Sequence, residues 1–305
     1  MVRIRLLFIK EISMHPIPKL FIALAAALTI VQAGCGLSTV QRDAVGRFAS
    51  ATIHIGQLTS SEFPRLRQAT IAMNAKSLAL NGTANPDDLD GPLDPSVIAT
   101  RLAATDALVE YGELLMALAQ ESTGQEELRR ASDKFVSSFR RVANKTLSDR
   151  QLEGLGKLLY ESGQWWLNKK KADALKALVP AVHDDVAKIC DLLIQDFDLQ
   201  ELHIIQATQT AVNRLKVDSN IALNTPQTSY SDRWIAVDAR LLAEREGARL
   251  QILSTQAIQA LQTLKTANAE LVQVLEDEAG PIEKIKQAVQ EVKGLTQAIK
   301  AIAGR

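Results

Sequence analysis

Aromatic residues make up only 4% of this 305-residue chain, and cysteine occurs twice, at Cys35 and Cys190. So few aromatics argue against a β-sandwich, whose strands want aromatic and β-branched side chains. Two cysteines cannot build the dense disulfide framework of a small secreted scaffold. Charge of one sign is also missing: 35 Lys and Arg face 35 Asp and Glu. A nucleic-acid binder wants a clustered basic excess, so that class is excluded as a partner. Histidine is scarce, and its surroundings are uninformative. No Glu-x-x-His pair is present for a di-iron bundle, and no His-Glu-x-x-His motif for zinc. A glycine-rich phosphate loop and a Gly-x-Ser-x-Gly elbow are missing too. His183 and Cys190 share a helical face near Asp184 and Asp185, but without a second ligand pair they make a poor metal site. The expectation is a chain that is not an enzyme, with no cofactor and no catalytic or metal residues. An enzyme with a dispersed site is the second alternative, since catalytic groups can converge from distant positions.

What the chain does contain is Ala, Leu, Gln and Lys, which lose little side-chain freedom in a helix. Ser38-Thr39-Val40-Gln41 has the spacing of a capping box, and Val40, Phe48, Ile55, Leu58, Leu66, Met73 and Leu80 follow at helical intervals. Pro64 inside this run predicts a kink, or a split near Ser60. Asn81-Gly82 reads as a stop. The loop from Asn85 to Pro95 lacks the full ligand pattern of a calcium loop, and reads as a solvated connection with Asp94 as N-cap and Pro95 at the first helical position. Further capping boxes stand at Thr123–Glu126 and Ser148–Gln151, the latter with Leu147 and Leu152 as a hydrophobic staple. From Leu175 the steps alternate four and three through Val179, Val182, Val186, Ile189 and Leu193, a coiled-coil spacing. A single helix from Pro180 to about Leu223 would be ~65 Å long. Ser231 can cap a partner of similar length through Leu241, Leu250, Leu261 and Leu275. Ile282, Ile285, Val289, Val292, Thr296 and Ile299 then form a C-terminal heptad seam. The fold class expected is all-α: an elongated antiparallel helical bundle with long coiled-coil-like helices.

At the amino end, an uncharged run from Leu20 to Val31 follows Lys19 and leads into Gln32-Ala33-Gly34-Cys35-Gly36. The run is shorter than the ~20 residues a bilayer-crossing helix needs, and it fits the apolar part of a secretory signal. Ala33-Gly34-Cys35 resembles the end of a bacterial lipoprotein signal, although Gln32 stands where that family has a branched or aliphatic residue. The resemblance covers this segment alone and implies lipidation of Cys35, with palmitate among its acyl chains. Gly36 stands in place of the aspartate that resembles an inner-membrane retention signal, which implies the outer membrane, facing the periplasm. Cleavage by an ordinary signal peptidase after Ala33 and a retained N-terminal anchor are the alternatives. Either Met1 or Met14 serves as a start. Acylation of Cys35 would leave Cys190 without a disulfide partner.

The organisation expected is thus a signal over 1–34 and a helical bundle over 35–305. Within it, 38–167 would hold shorter helices after a kinked first helix. The remainder, 168–305, would hold a long helical hairpin and the heptad helix. Trp165 and Trp166, with Lys169, Lys170 and Lys171, are candidate membrane or partner contacts, because indoles and amines suit headgroups. They equally suit a helix elbow with buried rings and solvated lysines. The functional expectation is a lipid-anchored helical scaffold, adaptor or secretion accessory. It would be held to the membrane by its N-terminal lipid and would meet a protein partner, or itself, through helical faces. A helical pore-forming or membrane-remodelling protein is the alternative.

Overall fold

The structure, a computed structural model, describes residues 36–82, 84–142, 164–200, 203–226, 229–277 and 280–303, with backbone alone at 164–168, 302 and 303. The chain divides into two units, Met1–Gly36 and Leu37–Arg305. The second is an all-α helical bundle, with no strand among its described residues. Its helices are α1 (Thr39–Asn81), α2 (Pro95–Ala119), α3 (Gln125–Val142), α4 (Gln164–Phe197), α5 (Ile204–Asn224), α6 (Tyr230–Ile252), α7 (Ile258–Glu276) and α8 (Glu283–Ala303). A π-helical turn, Leu253–Ala257, joins α6 to α7 without a break.

Helix α1 is the central element, packing against α2, α5, α7 and α8. Its start is the predicted capping box: Ser38 Oγ accepts from Gln41 N–H and Gln41 Oε1 accepts from Ser38 N–H, each at 3.2 Å. Gln41 then does a second job. Its amide donates to the carbonyls of Val274 and Leu275 at 2.9 and 3.2 Å, so it also satisfies carbonyls that the end of α7 leaves without intrahelical partners. The helix ends at Gly82, whose φ of 63° suits a residue without a Cβ. Of the two outcomes expected at Pro64, a kink or a split near Ser60, the split does not occur: α1 runs unbroken through Pro64 for 43 residues. Its neighbours bury both sides of the proline: Glu62, Phe63 and Leu66 are all in the core.

Helices α1 and α2 approach closely, and two glycines make it possible. A Cβ on Gly56 would lie 2.7 Å from Val109 Cγ2, and one on Gly112 would lie 2.9 Å from the Ala49 carbonyl. Real side chains do not fit there, so the backbones approach as only glycine permits. Helix α2 begins as expected: Asp94 Oδ1 accepts from Ser96 and Val97 N–H at 2.7 and 3.2 Å, with Pro95 next. The preceding loop is fastened rather than freely solvated. Asp90 Oδ2 accepts from Arg67 at 2.6 and 3.0 Å, Leu89 O accepts from Asn74, and Leu93 is buried.

The expected continuous helix from Pro180 to Leu223 is instead two. Helix α4 passes through Pro180 and stops at Phe197, and α5 starts at Ile204. The physical reason lies in the acidic stretch at the break. Asp196 and Asp198 oppose the negative end of the helix dipole, and Asp198 Oδ1 takes the Gln200 N–H at 2.8 Å, forming a local turn. Asp196 is fully buried and held by Arg101 of α2 at 3.0 and 3.1 Å. The break lets α4 lie along α7 while α5 lies along α6. The second long helix is continuous over α6, the π turn and α7. Ser229, not Ser231, caps it, with Ser229 Oγ accepting from Asp232 N–H at 3.2 Å.

Most of the predicted core positions are buried. The α4 stripe of Leu175, Val179, Val182, Val186, Ile189 and Leu193 is in the core, and Phe197 stacks on Phe63 at 5.4 Å. In α8 the core side is Ile285, Ala288, Val292 and Leu295, with Val289 and Ile299 half-buried, so the seam is turned slightly from the predicted one. Val40 and Leu241, expected in the core, are exposed. The capping box at Ser148–Gln151 and the staple of Leu147 and Leu152 lie outside the described residues.

Candidate functional site: an exposed apolar stripe on α6

Helix α6 is apolar on two opposite sides. Its inner side is made of small residues, Ala236, Ala239, Ala243 and Gly247, which let it lie close on α5. Tyr230, Trp234, Val237 and Leu241 occupy the other side, at steps of four, three and four that place them on one helical face. Relative exposures are 84% for Tyr230, 65% for Trp234 and 60% for Leu241. Single exposed apolar residues are ordinary, whereas these four, a tryptophan among them, stand in one row on one helix face. On α5, Val217 and Ile221 are also more than half exposed, and Arg240 Nη1 donates to Asn220 Oδ1 at 2.9 Å between the two helices.

The stripe's place along α1 follows from two contacts. Gln41 at the start of α1 meets the end of α7, whereas Lys76 near its end pairs with Asp238 of α6 at 2.7 Å. About ten helical turns of α1 separate these contacts, some 50 Å at ~1.5 Å per residue. The apolar row therefore sits at the end of α1 far from Ser38.

Of the residues singled out by sequence, Cys35 lies outside the described residues, as do the side chains of Trp165 and Trp166. The backbone at 165 and 166 belongs to the first turn of α4. Lys169 is exposed. Lys171 is not a surface contact, which corrects that expectation. It is buried, and its ammonium donates to the carbonyls of Gln120 and Thr123 at 2.7 and 2.9 Å. These carbonyls follow the end of α2, where a cation is favoured by the helix dipole and by unpaired acceptors. Burial pushes this ammonium below the ordinary lysine range, partly offset by Glu121 and Glu127.

His183 and Cys190 are not brought together into a site. The Asn268 amide donates to His183 Nδ1 at 3.1 Å, and the buried Tyr111 hydroxyl donates to Asn268 Oδ1 at 3.3 Å. This chain of bonds ties α2, α7 and α4 together through the core. Cys190 is a free, fully buried cysteine, and burial pushes its thiol up to about 12. At neutral pH it is therefore protonated and a poor nucleophile. Among the described residues no group of three or more His, Cys, Asp or Glu side chains is placed to hold a metal ion.

Glu62 of α1 and Arg249 of α6 are an ion pair buried on both sides. Arg249 Nε donates to Glu62 Oε2 at 3.0 Å, and Nη2 donates to both carboxylate oxygens. Nη1 is buried with no hydrogen-bond acceptor among the described residues. Arg249 lies one turn before the π segment, so this pair joins α1 to the point where the long helix changes its winding. Its arrangement is structural: both groups face each other and away from solvent.

The α6 row is hidden in the sequence because the leucine spacing places Leu241 in the inner stripe and includes no position for Trp234. The signal that could have found it is the second apolar periodicity opposite the alanines. No protein-family model, curated protein or solved structure matches this chain. Among its described residues the chain is an all-α bundle that exposes an apolar face of α6.

Proposed function

We propose that this protein is a lipid-anchored helical scaffold or adaptor of the cell envelope, non-enzymatic, serving assembly or secretion through a helix face. The observation that carries the reading is the exposed row of Tyr230, Trp234, Val237 and Leu241 on α6. An aromatic and aliphatic row is what a protein interface buries at its centre. Its position supports the reading further. Attachment through Cys35, three residues before the Ser38 cap, would hold the start of α1 near the lipid. The row would then be presented at the other end of α1, about 50 Å along that helix. Facing the periplasm from the outer membrane, such a body projects a docking surface away from its anchor.

Two measurements test the reading. Metabolic labelling with palmitate should mark the wild-type chain and not the Cys35→Ala variant; equal label in both overturns the anchor. Fractionation of the envelope should then move the Cys35→Ala protein from the membrane pellet to the soluble periplasmic fraction. Retention of that variant in the membrane would mean that another element attaches it.

A further inference from the structure

We infer that the occupant of the α6 row is an amphipathic helix of a partner protein, laid end to end with α8 along one side of the long helix formed by α6 and α7. This rests on the reading of the row as a docking face. Continuity is the first argument. Counted on from Leu241 in steps of three and four, the row runs through Ala248 and Ile252 to Ala260, Thr263, Ala267 and Glu270. The π turn supplies the one extra residue in that count. Along this line Leu241 and Ala248 are exposed, Ile252 is half-buried, and Ala260, Thr263 and Ala267 are buried.

The cover on that side is α8, which runs antiparallel to α7. At its start the Glu270 carboxylate accepts from the N–H groups of Lys284 and Ile285 at 2.8 and 3.3 Å, and farther on Gln259 Nε2 donates to Glu291 Oε1 at 3.1 Å. Helix α8 then passes the π turn and reaches α6. From Glu291 to the end of α8 at Ala303 is about 18 Å, whereas from Gln259 back to Leu241 is about 27 Å. The helix therefore stops about 9 Å short of Leu241. Beyond it the row from Leu241 to Tyr230, about 17 Å or three helical turns, continues the face that α8 covers.

The flanks of the row are the second argument. On one side Asp238 pairs with Lys76 of α1 at 2.7 Å. On the other Arg240 donates to Asn220 of α5 at 2.9 Å and pairs with Glu244 at 2.6 Å. A bilayer pressed onto the row would strip water from charges on both flanks. A helix about 10 Å across seats between them and keeps its own polar side in water. Trp234 and Leu241, seven residues apart on one face, are the anchors that such a helix buries.

The first test titrates the full chain into a fluorescein-labelled peptide of residues 282–303, the helix already fitted to the covered part of this face, and reads anisotropy. Saturable binding is expected, weakened roughly tenfold or more by Leu241→Glu, which places a charge at an anchor. Ser137→Glu, exposed on α3 and away from α6, is the control and should bind as the parent does. The thermal midpoint of Leu241→Glu should be unchanged, because Leu241 is exposed. No binding, or equal binding by the two variants, overturns the proposal.

A photocrosslinking residue in place of Trp234, in cells expressing two differently tagged copies, separates this failure from failure of the docking reading. A crosslink mapped by mass spectrometry to the apolar stripe of a helix in another protein supports the proposal. An adduct bearing both tags, or a crosslink to a partner segment without that stripe, overturns it and leaves the reading of a protein docking face standing. A lipid adduct, or no adduct, overturns both.

Discussion

Helices α4 and α6 both carry apolar residues at steps of three and four, yet the two rows end in opposite environments. Leu175 to Leu193 of α4 is buried against α7 and α2, while Tyr230 to Leu241 of α6 faces solvent. The difference lies in what stands on the other side of each helix. Opposite the α4 row are charged and polar residues such as Lys176, Asp184 and Lys188, so only one face can seek the core. On α6 the opposite face is already occupied by alanines that satisfy the core. An apolar period therefore announces burial only where it is the sole apolar period. Where there are two, the smaller side chains can take the inside and leave the larger ones for a partner.

The largest effect expected is at the buried pair, the charged counterpart of the α4 row. Arg249→Ala should lower unfolding free energy by about 3–5 kcal/mol in urea denaturation, because it leaves Glu62 buried and uncompensated. Replacing both, Glu62→Leu with Arg249→Met, should recover most of that loss. A single-variant effect below about 1 kcal/mol would show the pair to be solvated.

Leu178→Ala in α4 should cost about 2–5 kcal/mol through lost burial and a residual cavity. Leu241→Ala, the same chemistry on α6, should change stability of the monomer by less than about 0.5 kcal/mol. Equal costs at the two positions would erase the comparison.

Gly112→Ala should lie between these. Its added Cβ meets the Ala49 carbonyl at 2.9 Å, so α1 and α2 must separate, at roughly 1–3 kcal/mol by the usual cost of overpacking. A variant with unchanged midpoint would show that the two helices slide freely.

The smallest effect is electrostatic and at the surface. Glu126, at the start of α3, is held by side-chain hydrogen bonds from Arg129 and Arg130, which lower its carboxyl to about 2. Its folded value lies below its unfolded one. The stabilisation it brings is therefore present above the unfolded value and fades as pH falls through about 2. Carbon-detected NMR titration should show that midpoint, and Arg129→Gln with Arg130→Gln should move it up toward the ordinary glutamate range.

How much was legible depended on how local the cause was. The capping box at Ser38 and Gln41, Asp94 with Pro95, and the Gly82 stop are set by neighbours within one turn, and all were readable. The break after Phe197 was missed because the apolar stripe continues across it, through Ile204, Thr208 and Leu215. What ends the helix is the Asp198 turn, and what buries Asp196 is Arg101, 95 residues earlier. Lys171 was read as a surface amine because three lysines in a row look solvated. Its partners, the carbonyls of Gln120 and Thr123, come from a turn 51 and 48 residues away. Of the candidate docking face, the spacing places Leu241 in the inner stripe, and no local signal marks Trp234.

By itself the sequence determined that this chain is helical and where most of its helices start, since backbone propensity and capping act within a few residues. It determined the chemistries left without a motif for the same reason. Only the tertiary structure decided that Pro64 leaves α1 whole, that Gly56 and Gly112 face each other's helix, and that Glu62 meets Arg249 across 187 residues. It also decided which of two apolar faces of α6 is covered. Coverage depends on a neighbouring element, and α5 reaches the alanines while leaving Trp234 to the solvent.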